Sequence, residues 1–299
     1  MRGRVVRGSR VRAALIGCCV AVVALAVASC SQQPAGQAGS AAGQTTAASA
    51  GSSAAGRAPG DSGRADRLRV LAVRARFGAC EQRIARGPRD LRSLSIVGAS
   101  YTAGIGPDNP ALSWAADFAA KLGWNAVIYG VPGAGYVRTG TDGDGPMSAM
   151  LEAERLPQVA PSLVIVQAGH DDGGVPVAVE RRAVLRTIDL IRADAPSARI
   201  ALLTVFSLPT GPVRPRLYRA DRAIVAAARE ADPKVIIMDP LTGHWKFQRA
   251  DDGLHPTAAG DAWIARKVAS ILAAHGIVAS PSTVNSAVVC DVAIRAKAV

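Results

Sequence analysis

The chain has 299 residues, 49% of them hydrophobic, which is enough to build one sizeable core. A formal charge of +12 would suit a nucleic-acid or membrane partner, but its placement argues against nucleic acid. Five Arg from Arg2 to Arg12 precede any acidic residue, and nine more lie between Arg64 and Arg92 against Asp66, Glu81 and Asp90. The rest is nearly balanced and holds no recognition-helix motif or aromatic-rich basic sheet.

Taken in chain order, residues 1–29 read as an export signal. The five Arg form a basic start, and Ala13 to Ala28 form an apolar run that is short for a membrane span and ends in small residues. Val27-Ala28-Ser29-Cys30 resembles the bacterial lipobox, in which the Cys is lipidated and becomes the mature N-terminus. Residues 30–65 follow as a low-complexity linker. From Ser31 to Gly63 it is almost entirely Ala, Gly, Ser, Gln, Thr and Pro, a composition suited to a tether. Residues 66–92 are a basic lead-in, either a solvated helix or a surface for anionic lipid and envelope polymer. Of the five Cys, Cys18 and Cys19 lie in the signal and Cys30 is the lipid site, leaving Cys80 and Cys290. In an oxidising compartment these two are expected to pair and staple the terminal extensions to the domain.

Residues 93–276 alternate short apolar runs with amphipathic segments. Leu94–Val97, Ala126–Tyr129, Leu163–Val166, Ile200–Val205 and Val235–Met238 read as five strands. Ser113–Leu122, Val177–Arg192, Leu217–Glu230 and Pro256–His275 read as helices, and Thr139–Pro146 as a surface loop. Nearly continuous apolar strands alternating with helices predict an α/β fold, with a parallel sheet covered on both faces. Residues 277–299 form a C-terminal extension, a small β or coil segment held by Cys290. Active sites of such sheets lie at the carboxyl ends of the strands, and the polar residues of interest fall there.

The first strand runs into Gly98-Ala99-Ser100-Tyr101-Thr102-Ala103-Gly104. A Ser on a tight strand-to-helix turn exposes its hydroxyl, and its own N–H can stabilise an oxyanion; alone, such a Ser is an ordinary helix N-cap. Asp252 lies three residues before His255, so its carboxylate can fix the imidazole tautomer and stabilise the imidazolium. D-x-x-H-P could also be an exposed turn opening a helix. Two further strand ends carry Gly130-Val131-Pro132-Gly133-Ala134-Gly135 and Gly169-His170-Asp171-Asp172.

Together these four blocks resemble those of the SGNH (GDSL-like) hydrolases: G-D-S-x-x-x-G, a Gly block, G-x-N-D and D-x-x-H. The resemblance runs from about Ser95 to Ile271. It implies a three-layer α/β/α sandwich with a parallel, flavodoxin-like sheet of about five strands. It also implies ester hydrolysis without a metal or organic cofactor, with Ser100 as nucleophile, His255 as base and Asp252 as its orienter. The oxyanion hole would be the N–H groups of Ser100 and Gly133 and a side chain of the third block.

Two positions depart from the family. Ala99 replaces the Asp of G-D-S, a residue thought to support the loop. Asp171 replaces the Asn whose amide donates to the oxyanion, and an ionised carboxylate has no proton to give. Three resolutions stand open: Asp171 is protonated in a desolvated pocket, His170 donates instead, or activity is feeble. His170 and Trp245 are candidate pocket residues. His244 borders the cleft or belongs to a surface loop, and His275 complements a helix end. The spacing of His244, Asp251, Asp252 and His255 fits no metal motif, so no metal is expected. Glycosidase chemistry through Asp171 and Asp252 would leave Ser100 idle.

The expected function is therefore an exported serine ester hydrolase acting on short acyl esters or acylated envelope glycans. It would be anchored to the outer face of the bacterial cytoplasmic membrane. The alternatives are a binding lipoprotein that keeps the fold without turnover, and a structural envelope protein with no pocket at Ser100.

Overall fold

A computed structural model describes residues 59–87, 91–107, 109–141, 143–207, 214–280 and 287–292. The export signal, Cys30 and most of the linker lie outside these residues. The first element is α1 (Pro59–Arg86), which takes in the end of the stretch read as a tether and the basic lead-in. It is followed by β1 (Ser93–Gly98), α2 (Trp114–Leu122), β2 (Asn125–Gly130), α3 (Met147–Glu154), the single turn α4 (Leu156–Val159) and β3 (Leu163–Gln167). The chain continues through α5 (Val177–Asp194), β4 (Arg199–Leu203), α6 (Pro215–Ala231), β5 (Ile236–Met238), α7 (Ala258–Ala274) and β6 (Val289–Asp291).

All pairings are parallel, in the order β5-β4-β3-β1-β2-β6. The sheet thus has six strands where about five were expected. The sixth is the short C-terminal strand, which pairs with β2 through Ala126–Val289, Val127–Cys290 and Ile128–Asp291. Period-two alternation divides each strand between two layers. Leu94, Ile96, Ala126, Ile128, Leu163 and Ile165 pack with Trp114 and Phe118 of α2 and Ile264 and Val268 of α7. Val97, Val127, Tyr129, Val164 and Val166 face the other way, against α1, α3, α5 and α6. A sheet buried on both faces explains why its strands read as nearly continuous apolar runs.

The helix boundaries follow local chemistry. The Ser113 side chain caps α2 by accepting the Ala116 N–H, and Gly123 closes that helix in the left-handed region at φ 67°. Thr257, rather than Pro256, opens α7, with its hydroxyl accepting the Gly260 N–H. His275 caps the far end of the same helix. On α1, Val73, Phe77 and Cys80 repeat at helical spacing and are buried, with Phe77 edge-on to Tyr129 of β2.

Cys80 of α1 and Cys290 of β6 form the expected disulfide, 210 residues apart in sequence. Closing so long a loop removes about 5 kcal/mol of chain entropy from the unfolded state in the simplest treatment, and measured bridges deliver about 2–5. The double variant Cys80→Ala/Cys290→Ala is expected to melt roughly 5–15 °C below wild type. Coincident melting curves by circular dichroism would show that the bridge adds nothing to stability.

Candidate active site

The chain visits β2 on one side of β1 and then crosses to β3 on the other, so a crevice opens at the carboxyl ends of these three neighbours. Ser100 follows β1, Gly133 follows β2, and His170 and Asp171 follow β3. Asp252 and His255 come from the loop between β5 and α7.

Ser100 sits on one hydrogen-bonded turn, in which the Ala103 N–H donates to the Ala99 carbonyl at 3.0 Å and the Ile105 N–H to the Ser100 carbonyl at 3.0 Å. The turn does not run into a helix as the sequence suggested, since α2 starts only at Trp114. Gly104 and Gly106 have φ of 72° and 115°, which ends helical continuation. Gly106 is also a point of close approach. A Cβ there would lie 2.2 Å from the Pro256 carbonyl oxygen, so the segment after Ser100 packs directly on the loop that carries His255.

The Ser100 Oγ is 2.8 Å from His255 Nε2, and His255 Nδ1 is 2.6 Å from Asp252 Oδ2. Asp252 Oδ1 accepts the N–H groups of Leu254 at 2.8 Å and His255 at 2.9 Å. Slight burial would raise the Asp252 pKa, but the hydrogen bond from His255 and the two backbone donors outweigh it and hold the pKa below the ordinary value. An ionised Asp252 requires the proton on Nδ1, which leaves the Nε2 lone pair for the Ser100 hydroxyl. A Ser100–His255–Asp252 line so arranged has the geometry with which an imidazole can take a serine proton.

Among the described residues, the N–H groups of Ser100 and Gly133 have no acceptor. Gly133 has φ 75°, a conformation that favours glycine. Asp171 is partly buried beside this crevice. Burial, then the negative charge of Asp172, push its carboxyl pKa up to about 6, against the opposing His255 ring, its own backbone N–H and Arg138. His170 is a poor stand-in donor. Its Nδ1 lies 3.2 Å from the Phe206 carbonyl, which can only accept, so that nitrogen carries the proton. Burial lowers the His170 pKa, keeping the ring neutral with Nε2 an acceptor. Trp245 is only 5% exposed and lies behind the crevice, edge-on to Phe206 and Trp263. His244 is exposed at φ 50°. No three His, Cys, Asp or Glu among the described residues are grouped to hold a metal ion.

Two supporting residues take part: Gln167 carried no signal in the sequence, and Asp172 stood there only as the last residue of the third block. Gln167, the last residue of β3, accepts with its side-chain oxygen the Ala99 N–H at 3.1 Å, the Thr102 N–H at 3.3 Å and the Thr102 hydroxyl at 2.9 Å. It ties down the nucleophile turn whose family Asp is Ala99 here. Asp172 accepts the N–H groups of Tyr136 at 2.6 Å, Val137 at 3.2 Å and Arg138 at 3.1 Å. It thereby sets the loop that carries Gly133. Gly135 is required by this contact, because a Cβ there would lie 2.3 Å from Asp172 Oδ2.

A parallel α/β/α domain with a Ser–His–Asp line at its strand ends defines a serine hydrolase of the SGNH class. The GDSL-like lipase/acylhydrolase family matches residues 96–263, and the chain belongs to that family as an SGNH-type esterase. The GDSL lipase Rv0518 of Mycobacterium tuberculosis is 30% identical over 194 residues, spanning 61% of this chain and 82% of that protein. A protein from Lactobacillus plantarum shares the fold at a TM-score of 0.52, with 17% identity over 62% of this chain and 98% of that one. A family two carbohydrate esterase from Cellvibrio japonicus does so at 0.51, with 18% identity over 62% of this chain and 61% of that one. At those identities the likeness is one of fold.

Proposed function

We propose that Ser100, His255 and Asp252 are the catalytic residues of an exported ester hydrolase acting on short acyl esters or acylated envelope glycans. The hydrogen-bonded line from Ser100 through His255 to Asp252 carries this reading. His255 Nε2 takes the Ser100 proton as Oγ attacks the acyl carbonyl, and the resulting oxyanion is received by the Ser100 and Gly133 N–H groups and by Asp171 in its protonated form. The intermediate collapses, the imidazolium gives its proton to the departing alkoxide, and the acyl group stays on Ser100. Water, deprotonated by His255, then attacks the acyl-serine and releases the acid, while the proton returns to Ser100. A sugar hydroxyl in place of water would transfer the acyl group.

The preference for short chains rests on the absence of a long apolar lid segment from the sequence. It is tested with the full chain on p-nitrophenyl acetate, butyrate and palmitate and on an acetylated glycan. Acetate and glycan turnover well above palmitate is expected, and a palmitate optimum would overturn it. Asp171 favours the second reading, a ligand-binding protein without turnover, which predicts no hydrolysis of any of these esters.

The cell-envelope location rests on the N-terminal pattern and on the Cys80–Cys290 bridge, which suits an oxidising compartment. The apolar run and Cys30 lie outside the described residues, and no helix among those described is long and apolar enough to cross a membrane. Wild-type protein expressed in a bacterium is expected in the membrane fraction and Cys30→Ser in the soluble export fraction. Equal partitioning of the two would remove the lipid anchor.

A further inference from the structure

Arg249 lies six residues before His255 and outside the four family blocks. Its Nη1 donates to the Leu254 carbonyl at 2.5 Å and to the Tyr101 hydroxyl at 3.1 Å, and its Nη2 donates to the Ser207 carbonyl at 2.6 Å. The Tyr101 hydroxyl donates to the same Leu254 carbonyl at 2.7 Å. The guanidinium also stacks over Phe247, 4.2 Å from the ring centroid. Tyr101 adjoins Ser100, Leu254 adjoins His255, and Ser207 follows β4, so one side chain joins three chain segments around the site. Tyr101 is itself a fixed point, 2% exposed and stacked on Phe206 with ring centroids 4.2 Å apart.

The histidine loop needs such an anchor. Asp252 is 45% exposed on its side chain, and its hydrogen bonds go only to Leu254 and His255 of the same loop. That internal bonding orients the imidazole relative to Asp252 but does nothing to set its distance from Ser100. Among the described residues, besides the Ser100–His255 bond itself, the hydrogen bonds that join the two loops run through the Leu254 carbonyl, Tyr101 and Arg249. We infer that Arg249 is a positioning residue that, with Tyr101, holds the His255 ring at hydrogen-bonding distance from Ser100. It touches no reacting atom, and its contribution is to keep the base within reach of its proton.

A planar guanidinium meets three acceptors and a ring face at once, whereas an ammonium offers one charge centre and no stacking plane. Lys should therefore restore the site only in part. The inference rests on the hydrolase reading, so the test carries one readout that depends on turnover and one that does not. The full-length wild type, Arg249→Lys and Arg249→Met are assayed on p-nitrophenyl acetate beside Ser100→Ala. The nitrogen chemical shift of His255 Nε2, which reports the hydrogen bond from the Ser100 hydroxyl, is followed by NMR. Expected are a kcat loss of about 10²-fold in Arg249→Met, a smaller loss in Arg249→Lys, and KM within about threefold of wild type in both. In Arg249→Met the Nε2 shift should move toward its value in Ser100→Ala, even in a sample whose melting temperature is unchanged. A kcat within about threefold of wild type with the Nε2 shift unchanged would overturn the inference, as would a loss confined to KM. Turnover by the wild type that Ser100→Ala retains would instead remove the hydrolase reading, and an unchanged His255 Nε2 shift in Arg249→Met would then remove the positioning role as well.

Discussion

Asp171→Asn is expected to speed ester hydrolysis by about a hundredfold at pH 8 and to leave it nearly unchanged at pH 5. The carboxyl group has a pKa of about 6, raised first by burial and then by the charge of Asp172. Below that pH it carries a proton and donates to the oxyanion as an amide would. Above it the group loses the proton and repels the developing charge, so at pH 8 only about 1% of molecules hold a working donor. Asn donates at every pH. The ratio of variant to wild-type kcat/KM should therefore climb about tenfold per unit above pH 6, and taking the ratio cancels every titration the two proteins share. A ratio near one from pH 5 to pH 8 would show that Asp171 takes no part in the hole.

The second large effect is expected at Ser100. Replacing it by Ala removes the nucleophile and leaves the His255–Asp252 pair and the backbone donors in place. Turnover of p-nitrophenyl acetate should fall by about 10⁴-fold or more, to the level that water attack in a preorganised site can sustain. The fold should not respond, since the Ser100 side chain makes one hydrogen bond and is only half-buried. Unchanged far-UV circular dichroism with turnover lost is the expected pair of observations. Turnover within about tenfold of wild type would place the nucleophile elsewhere.

What the sequence disclosed follows from the strength of each local signal. Strands buried on both faces are runs such as Leu163-Val164-Ile165-Val166, legible because no polar residue interrupts them. Asp252 and His255 were legible because three residues bring their side chains together without help from the rest of the fold. β6 was expected only as a small β or coil segment held by Cys290, and not as a sixth strand of the sheet, since three residues against the outer edge of β2 carry no pattern of their own. The helix of α1 was one of two readings of the basic lead-in, and what stayed hidden was its packing. Its buried stripe of Val73, Phe77 and Cys80 is narrow, and the Arg around it dominate the composition. Gln167 and Arg249 act through contacts up to 148 residues distant, at spacings that only the folded sheet defines, and so does Asp172, which was visible only as part of the third block. The turn after Ser100 was read as a helix start because strand–Ser–small-residue patterns usually lead into one. Gly106 against Pro256 explains why this one does not.

The central claim is that Ser100 is the nucleophile of an ester hydrolase. A fluorophosphonate probe incubated with the full-length protein, followed by peptide mass mapping, tests it most directly. The predicted result is a single covalent adduct on Ser100, formed much more slowly in His255→Ala. Ester turnover by a protein that carries no adduct, or that carries its adduct on another residue, would contradict it.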